Sequence, residues 1–547
     1  MTSSGTRGDA PLSPAPAAGH GAGSGLRTAC GIVSAGLALG VAELVAAPIN
    51  PGSAPMTALG GTVVDHTPDS VREKVIGLVG TNDKLVLFIL MAAVMVVLAG
   101  FIGRIEQQRR PLGSVLLGIF GLLVTFVAVN RPGASWLWAL PTVIGVAMAI
   151  VVLRWLIRRT DALDATGGAE TDSGTTASVG SGDSGGPGSY GGIDRRQVVR
   201  GIVGVGVLAA AAEVAGRLVG SRLHSVSAER AAVRLPAPPT PSVPIDSAAD
   251  LRIPGLTPYL TADSDFYRVD TALVIPQVST DTWSLRVHGM VDREIRLSYA
   301  DLKARQPIER LVTLTCVSNP VGGPLIGNAR WLGYSLADLL AEAGPHPDAD
   351  MVLSRSVDGF TAGSPLATVT DGRDAMLAIG MNGQPLPIEH GYPARLVVPG
   401  LYGYVSATKW VTDIEITRFD RAKAYWTERG WSVRGPIKTG TRIDTPHDAA
   451  SVSSGRITIA GVAWAQHRGI NAVEVQIDSG PWNSARLAAE PSIDTWRQWA
   501  YDWNPTPGTH TIRARATDGT GQIQTSQVQD VVPDGATGYP SITVRVG

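Results

Sequence analysis

The apolar positions of this chain fall into two regimes. In the first part they form unbroken runs near Thr28–Ala47, Leu85–Ile102, Leu112–Val129 and Trp136–Ile157. Each run is about 18–22 residues, enough for a helix to cross the ~30 Å hydrocarbon core of a bilayer. Arginines orient them: Arg27 precedes the first, Arg104, Arg109 and Arg110 lie between the second and third, and Arg154, Arg158 and Arg159 close the fourth. The positive-inside rule makes those ends cytoplasmic. Residues 1–26, rich in Gly, Ala and Pro, predict a disordered start, and 27–159 predict a four-helix membrane region. Glu43, near the outer end of the first run, is expected at the interface.

Residues 160–194 are Gly-, Ser- and Thr-rich without periodicity and predict a flexible cytoplasmic linker. Arg195 and Arg196 then precede an Ala/Gly-rich apolar segment over 195–221, which reads either as a fifth membrane span or as a twin-arginine-like export signal inside the chain. Both readings send the residues from 222 onward out of the cytoplasm. Residues 222–249 are Pro-rich and predict a semi-rigid spacer, with a small-residue cleavage pattern at Val226-Ser227-Ala228.

Beyond the spacer the period changes. Runs such as TWSLRVHGMV, RLVTLTCVS and VTDIEITRF alternate as strands, and SYADLKARQ and SLADLLAEAG carry the spacing of short amphipathic helices. An α+β unit is predicted over 250–440. From 446 to 547, strands such as GRITIAGVAWA, INAVEVQID and GTHTIRARATDGTG recur between turn signals and predict an immunoglobulin-like β-sandwich.

Composition narrows the chemistry. With 46 Lys plus Arg against 47 Asp plus Glu, the chain lacks the basic excess of a nucleic-acid binder. Two distant cysteines, Cys30 and Cys316, supply neither a disulfide framework nor a Cys-based zinc site. No histidine falls in an apolar run, so no transmembrane haem is expected. Cys316 ends an apolar strand and is followed by Val317-Ser318-Asn319-Pro320-Val321-Gly322-Gly323. This pattern suits a buried inert thiol, or a soft metal ligand or nucleophile presented at a Gly-rich loop.

At these residues the exported half resembles the sulfite oxidase family of molybdenum enzymes, in its bacterial molybdopterin-dependent branch. The resemblance rests on ordered blocks: Asp265-Phe266-Tyr267-Arg268-Val269-Asp270, Thr315-Cys316-Val317-Ser318-Asn319, Gly327 to Gly333, Asp358-Gly359-Phe360, and His390-Gly391-Tyr392-Pro393 through Gly400 to Lys409-Trp410. It implies a molybdopterin-binding catalytic domain over 250–440 and a C-terminal dimerisation domain, making a possible homodimer, with molybdenum-molybdopterin as cofactor and Cys316 as the metal's thiolate ligand. It also implies cofactor contacts by Ser264, Tyr267, Arg268, Thr361, His390, Arg395, Ser406 and Lys409, with Arg268 also facing metal and substrate.

One departure bears on substrate. Where the family carries a basic pair after Cys-x-x-Asn, this chain has Pro320 and Val321. A dianion then loses charge-assisted hydrogen bonds, each worth roughly 1.5–3 kcal/mol. Arg497, in the C-terminal domain, is a candidate replacement. The expected function is two-electron oxygen-atom transfer on a small S- or N-oxide type substrate, with an unknown redox partner, at the cell membrane. Sulfite oxidation and a non-enzymatic membrane-anchored binding module are the alternatives.

Overall fold

The computed structural model describes residues 21–68, 71, 83–172, 195–245 and 247–547. The chain divides into two compact units, Met1–His224 and Ser225–Gly547.

Among the described residues of the first unit are helices Gly21–Ile49, Pro55–His66, Asp83–Ile105, Leu112–Val129, Ala139–Asp172 and Arg195–Leu223. Among the described residues five helices are long and apolar enough to cross a membrane, in the regions the hydrophobic runs predicted. Small residues let two of them touch: a Cβ on Gly31 would lie 2.0 Å from the Ala99 carbonyl oxygen, and one on Gly103 would lie 2.1 Å from that of Arg27. Such close backbone approach is how apolar helices associate where burial from water gives no drive. Pro55–His66 was not anticipated. The helix of the fourth run continues to Asp172, into the segment read as a linker; 173–194, like 1–20, lies outside the described residues. The Arg195-Arg196 pair opens its helix directly.

In the second unit the first ten strands are β1 (Ser284–Gly289), β2 (Ile295–Ser298), β3 (Ile308–Thr315), β4 (Ile326–Ser335), β5 (Met351–Ser356), β6 (Thr361–Pro365), β7 (Met376–Met381), β8 (Gln384–Pro385), β9 (Arg395–Val397) and β10 (Val411–Thr417). They form one sheet in the order β2-β1-β10-β5-β6, with β1 parallel to β10, and another in the order β3-β4-β7-β8, with β9 also on β7. Local chemistry explains the short helices between them. In Leu336–Ala343 the Ser335 side chain accepts from the Asp338 N–H, Leu336, Leu339, Leu340 and Ala343 are buried, and Gly344 closes the end at φ 69. The core joins both sheets through Leu285, Tyr334, Leu339, Ile379, Leu396 and Ile414.

The remaining strands, β11 (Gly440–Thr445), β12 (Ser451–Val452), β13 (Ile457–Trp464), β14 (Ile470–Ile477), β15 (Trp482–Ser484), β16 (Arg486–Leu487), β17 (Arg497–Trp503), β18 (Gly508–Asp518) and β19 (Ser541–Val546), make two sheets, β11-β13-β17-β16 and β12-β19-β18-β14-β15. Ile459, Val473, Trp499, Ile512 and Val544 fill the space between them. The immunoglobulin-like sandwich thus begins at Gly440, earlier than 446, because β11 pairs with β13.

The Pro-rich segment is not a free spacer. Val226 lies in a hydrophobic cluster with Phe266, Trp331 and Tyr392. Arg230 donates to the Pro385 and Leu386 carbonyls at 2.6 and 2.7 Å, and Glu229 accepts from Thr280 and Tyr392. Burial pushes the Glu229 carboxyl up, but these hydrogen bonds outweigh it and hold it below its ordinary range. Composition suggested stiffness without contacts, whereas polar side chains anchor the segment.

Candidate active site

Strand β3 delivers Cys316 to the meeting of two clefts. The Cys316 N–H donates to the Leu325 carbonyl at 3.0 Å, its carbonyl accepts from the Asn319 N–H at 3.1 Å, and Asn319 Oδ1 accepts from the Leu325 N–H at 2.8 Å. The turn is closed from both sides. Burial pushes the thiol up, against hydrogen bonds from Ser318 that lower it. Binding a metal there would release a proton.

The first cleft, about 860 Å³ including its open mouth, is lined by Cys316, Tyr267, His390, Arg395 and Lys409, with an aromatic wall of Phe360, Tyr404, Trp426 and Trp431. Arg395 stands on β9, and Lys409 ends the loop that leads to β10. Gly391 lies between them at φ 111, where a Cβ would come within 3.0 Å of the Arg395 Cβ and 3.1 Å of the Lys409 Cβ. Only glycine allows this approach.

The charges in this cleft are unequally matched. Lys409 Nζ lies 2.7 Å from Asp270 Oδ2 and 3.1 Å from the Glu389 carbonyl oxygen, and the same Asp270 accepts from Arg268 at 2.7 Å. Burial pulls the Lys409 ammonium down to about 8, although Asp270 works against it. Arg395 is buried, donates only at 3.2–3.4 Å to the carbonyls of His390, Leu396 and Ala407, and among the described residues has no carboxylate partner. Burial pulls it down to about 10. Burial, followed by repulsion from Arg395 and Lys409, holds His390 at about 4, so its ring is neutral near pH 7.

A buried guanidinium without a counter-charge is costly and calls for an anion. An aromatic-walled cleft beside it suits a planar ring system that carries a phosphate. Among the described residues no three His, Cys, Asp or Glu side chains gather to hold a metal, so a metal at Cys316 takes its other donors from that ring system. Molybdopterin meets both conditions: Arg395 and Lys409 would hold its phosphate, His390 and Tyr267 its ring, and Cys316 the metal.

The second cleft shares Cys316 but none of those cations. Asn319, Pro320 and Val321 form one wall, and Tyr402, Lys438, Trp464, Arg468 and residues from Gln522 to Gly538 form the other. Cys316 is therefore reachable from a second cleft whose other lining residues are distinct from those of the first.

Of the residues expected at the site, Cys316, Tyr267, His390, Arg395 and Lys409 converge. Four do not. Ser264 is exposed, and its hydroxyl donates to the neighbouring Asp265 carboxylate. Arg268 lines neither cleft and is bound by Asp270. Thr361 Oγ1 is taken by the Tyr425 N–H, and the Ser406 hydroxyl is buried and donates to the Leu401 and Tyr402 carbonyls. Both hydroxyls are thus engaged by backbone groups. Arg497 donates to the Ala488 and Ile470 carbonyls and is also absent from the second cleft. Asp270, the aromatic wall, Lys438 and Arg468 were not anticipated. Asp270 and Phe360 belong to the ordered blocks but were given no role there; Trp426, Trp431, Lys438 and Arg468 lie outside those blocks.

The geometry defines a molybdopterin oxidoreductase, and comparison with known proteins agrees. The oxidoreductase molybdopterin binding domain matches residues 272–426, and a bacterial Ig domain matches 441–514. Mitochondrial sulfite oxidase of Mus musculus is 30% identical over 289 residues, which cover 44% of this chain and 52% of the relative. The uncharacterized oxidoreductase YuiH of Bacillus subtilis is 34% identical over 153 residues, covering 28% of this chain and 74% of the relative. The sulfane dehydrogenase SoxCD from Paracoccus pantotrophus aligns with a TM-score of 0.47 at 23% identity, over 53% of this chain and 82% of that one. The chain spans about half the length of the mitochondrial sulfite oxidases it matches. It belongs to the sulfite oxidase family of molybdopterin oxidoreductases, and its cofactor is molybdenum-molybdopterin. When bound, this cofactor supplies two-electron oxygen-atom transfer.

Proposed function

We propose that the protein is a membrane-anchored enzyme with its catalytic domain outside the cytoplasm, transferring an oxygen atom to or from a small uncharged S- or N-oxide type substrate. Cys316 is its metal ligand, and Tyr267, His390, Arg395 and Lys409 are its cofactor contacts. An unidentified redox partner completes the electron balance, and the C-terminal sandwich is its dimerisation surface. The apolar wall that Pro320 and Val321 give the second cleft carries this reading. In steady-state assays of the loaded enzyme, reduction of a sulfoxide or N-oxide by an artificial electron donor is expected to exceed sulfite oxidation by at least about tenfold in kcat/KM. Efficient sulfite turnover at low concentration would refute it. Sulfite oxidation is the second reading, favoured by Lys438 and Arg468 on the facing wall and by the activity named in the mouse relative.

The five apolar helices and the arginines at their ends support the membrane reading. Reporters inserted within 161–192 and fused at the C-terminus are expected to report opposite sides of the membrane. Replacing Arg195 and Arg196 by lysine is expected to hold the catalytic domain inside. Signals from one side only would refute this topology, and unimpaired export of the lysine variant would leave the arginine pair a purely topogenic role.

A further inference from the structure

The lining of the second cleft holds two charged side chains, Lys438 and Arg468, and each has a carboxylate partner. The two pairs differ in how firmly they are held. Arg468 Nε donates to Asp518 Oδ2 at 2.9 Å, while its Nη2 donates to the Ile437 carbonyl at 3.0 Å and to Thr439 Oγ1 at 3.1 Å. The Asp518 side chain is fully buried. Burial pushes its carboxyl up, but hydrogen bonds from Thr520, Arg468 and Thr439 prevail and hold it at about 2. Arg468 is a fixed brace, committed to the fold.

Lys438 is held more loosely. Its Nζ lies 2.8 Å from Asp534 Oδ1 and 2.8 Å from the Gly535 carbonyl oxygen. An ammonium has three hydrogens to donate, so one more remains for a ligand. The side chains of Lys438 and Asp534 are 27% and 42% exposed, a range in which ion pairs are weak and rearrange readily. The two cations and two carboxylates leave the cleft without net charge. A divalent oxyanion would find one adaptable donor and a carboxylate beside it, whereas an uncharged oxide needs one donor and suffers no repulsion.

Resting on the oxide reading above, we propose that Lys438 is the specificity-determining residue of the second cleft, donating a hydrogen bond to the oxygen of an uncharged oxide while Asp534 cancels its charge against divalent oxyanions. The probes are sulfate and dimethyl sulfoxide, titrated calorimetrically into the full-length, cofactor-loaded protein in detergent at low ionic strength. Asp534→Asn is expected to tighten sulfate binding at least about tenfold, and adding Lys438→Met should reverse the gain. Lys438→Met alone should weaken dimethyl sulfoxide binding about tenfold. Should Asp534→Asn fail to fold, Asp534→Ser tests the same charge. Sulfate affinity unchanged by loss of Asp534, or dimethyl sulfoxide affinity unchanged in Lys438→Met, would overturn the proposal. The two layers fail differently. Efficient sulfite turnover by the wild type refutes the oxide reading; oxide turnover that persists with binding indifferent to both substitutions refutes only the role of Lys438.

Discussion

Replacement of Cys316 by serine is expected to lower turnover by at least about a thousandfold, roughly 4 kcal/mol of barrier, while leaving the domain folded. The side chain is almost isosteric, and the turn around it is held by the backbone of Leu325 and the side chain of Asn319, none of which the substitution touches. The change is in donor chemistry: a hydroxyl is harder to ionise than a thiol and donates less to a high-valent metal. Metal and pterin content measured beside steady-state rates will separate the roles. A loaded Cys316→Ser protein of full activity would refute the assignment of Cys316 as ligand.

Arg395→Met is expected to move stability and cofactor content in opposite directions. In the unloaded protein the buried guanidinium lies over the Trp331 ring and, among the described residues, donates only to carbonyls at 3.2–3.4 Å, so its removal should raise the melting temperature by a few degrees. The same change should strip the cofactor at least about tenfold, because the fork that faces its phosphate is gone. A lower melting temperature together with normal loading would show that Arg395 is part of the scaffold alone. Lys409 adds a pH dependence. Held at about 8, it is charged below that pH and neutral above it, so affinity of the unloaded protein for the anionic cofactor should fall as pH rises through 8. Lys409→Met should flatten that profile, and pterin fluorescence titrations between pH 7 and 9 provide the comparison.

Periodicity made much of the architecture legible. The four long apolar runs announce themselves by unbroken length, and β1, β10 and most of the sandwich by alternation of apolar and polar residues. Strands β4 and β7 are buried on both faces, so no alternation marks them. The segment after the last apolar helix misled because proline-rich composition says nothing about where Arg230 and Glu229 find partners. The ordered blocks named Cys316, His390, Arg395 and Lys409, which the fold brings to the lining of one cleft. Ser264, Thr361 and Ser406 line neither cleft, because what a hydroxyl bonds depends on geometry that residue type does not encode: Ser264 donates to the Asp265 carboxylate, while Thr361 and Ser406 bond backbone groups. Lys438 and Arg468 converge on Cys316 only after the two domains of the second unit have packed, and no spacing along the chain foretells that meeting.

The anchoring of residues 226–230 bears on the life history of the chain. A processing peptidase needs several residues drawn out in extended form within its groove, and nicking concentrates in exposed, loosely held loops. The bond after Ala228 lies instead inside the helix Ser227–Ala232, with Val226 in a hydrophobic cluster on one side and Glu229 tied to Thr280 and Tyr392 on the other. Once folded, the domain shields this small-residue pattern from a signal peptidase. Intact-mass measurement of the purified protein is therefore expected to find residues 195–221 still joined to the domain, and a product beginning at Glu229 would show that processing precedes folding.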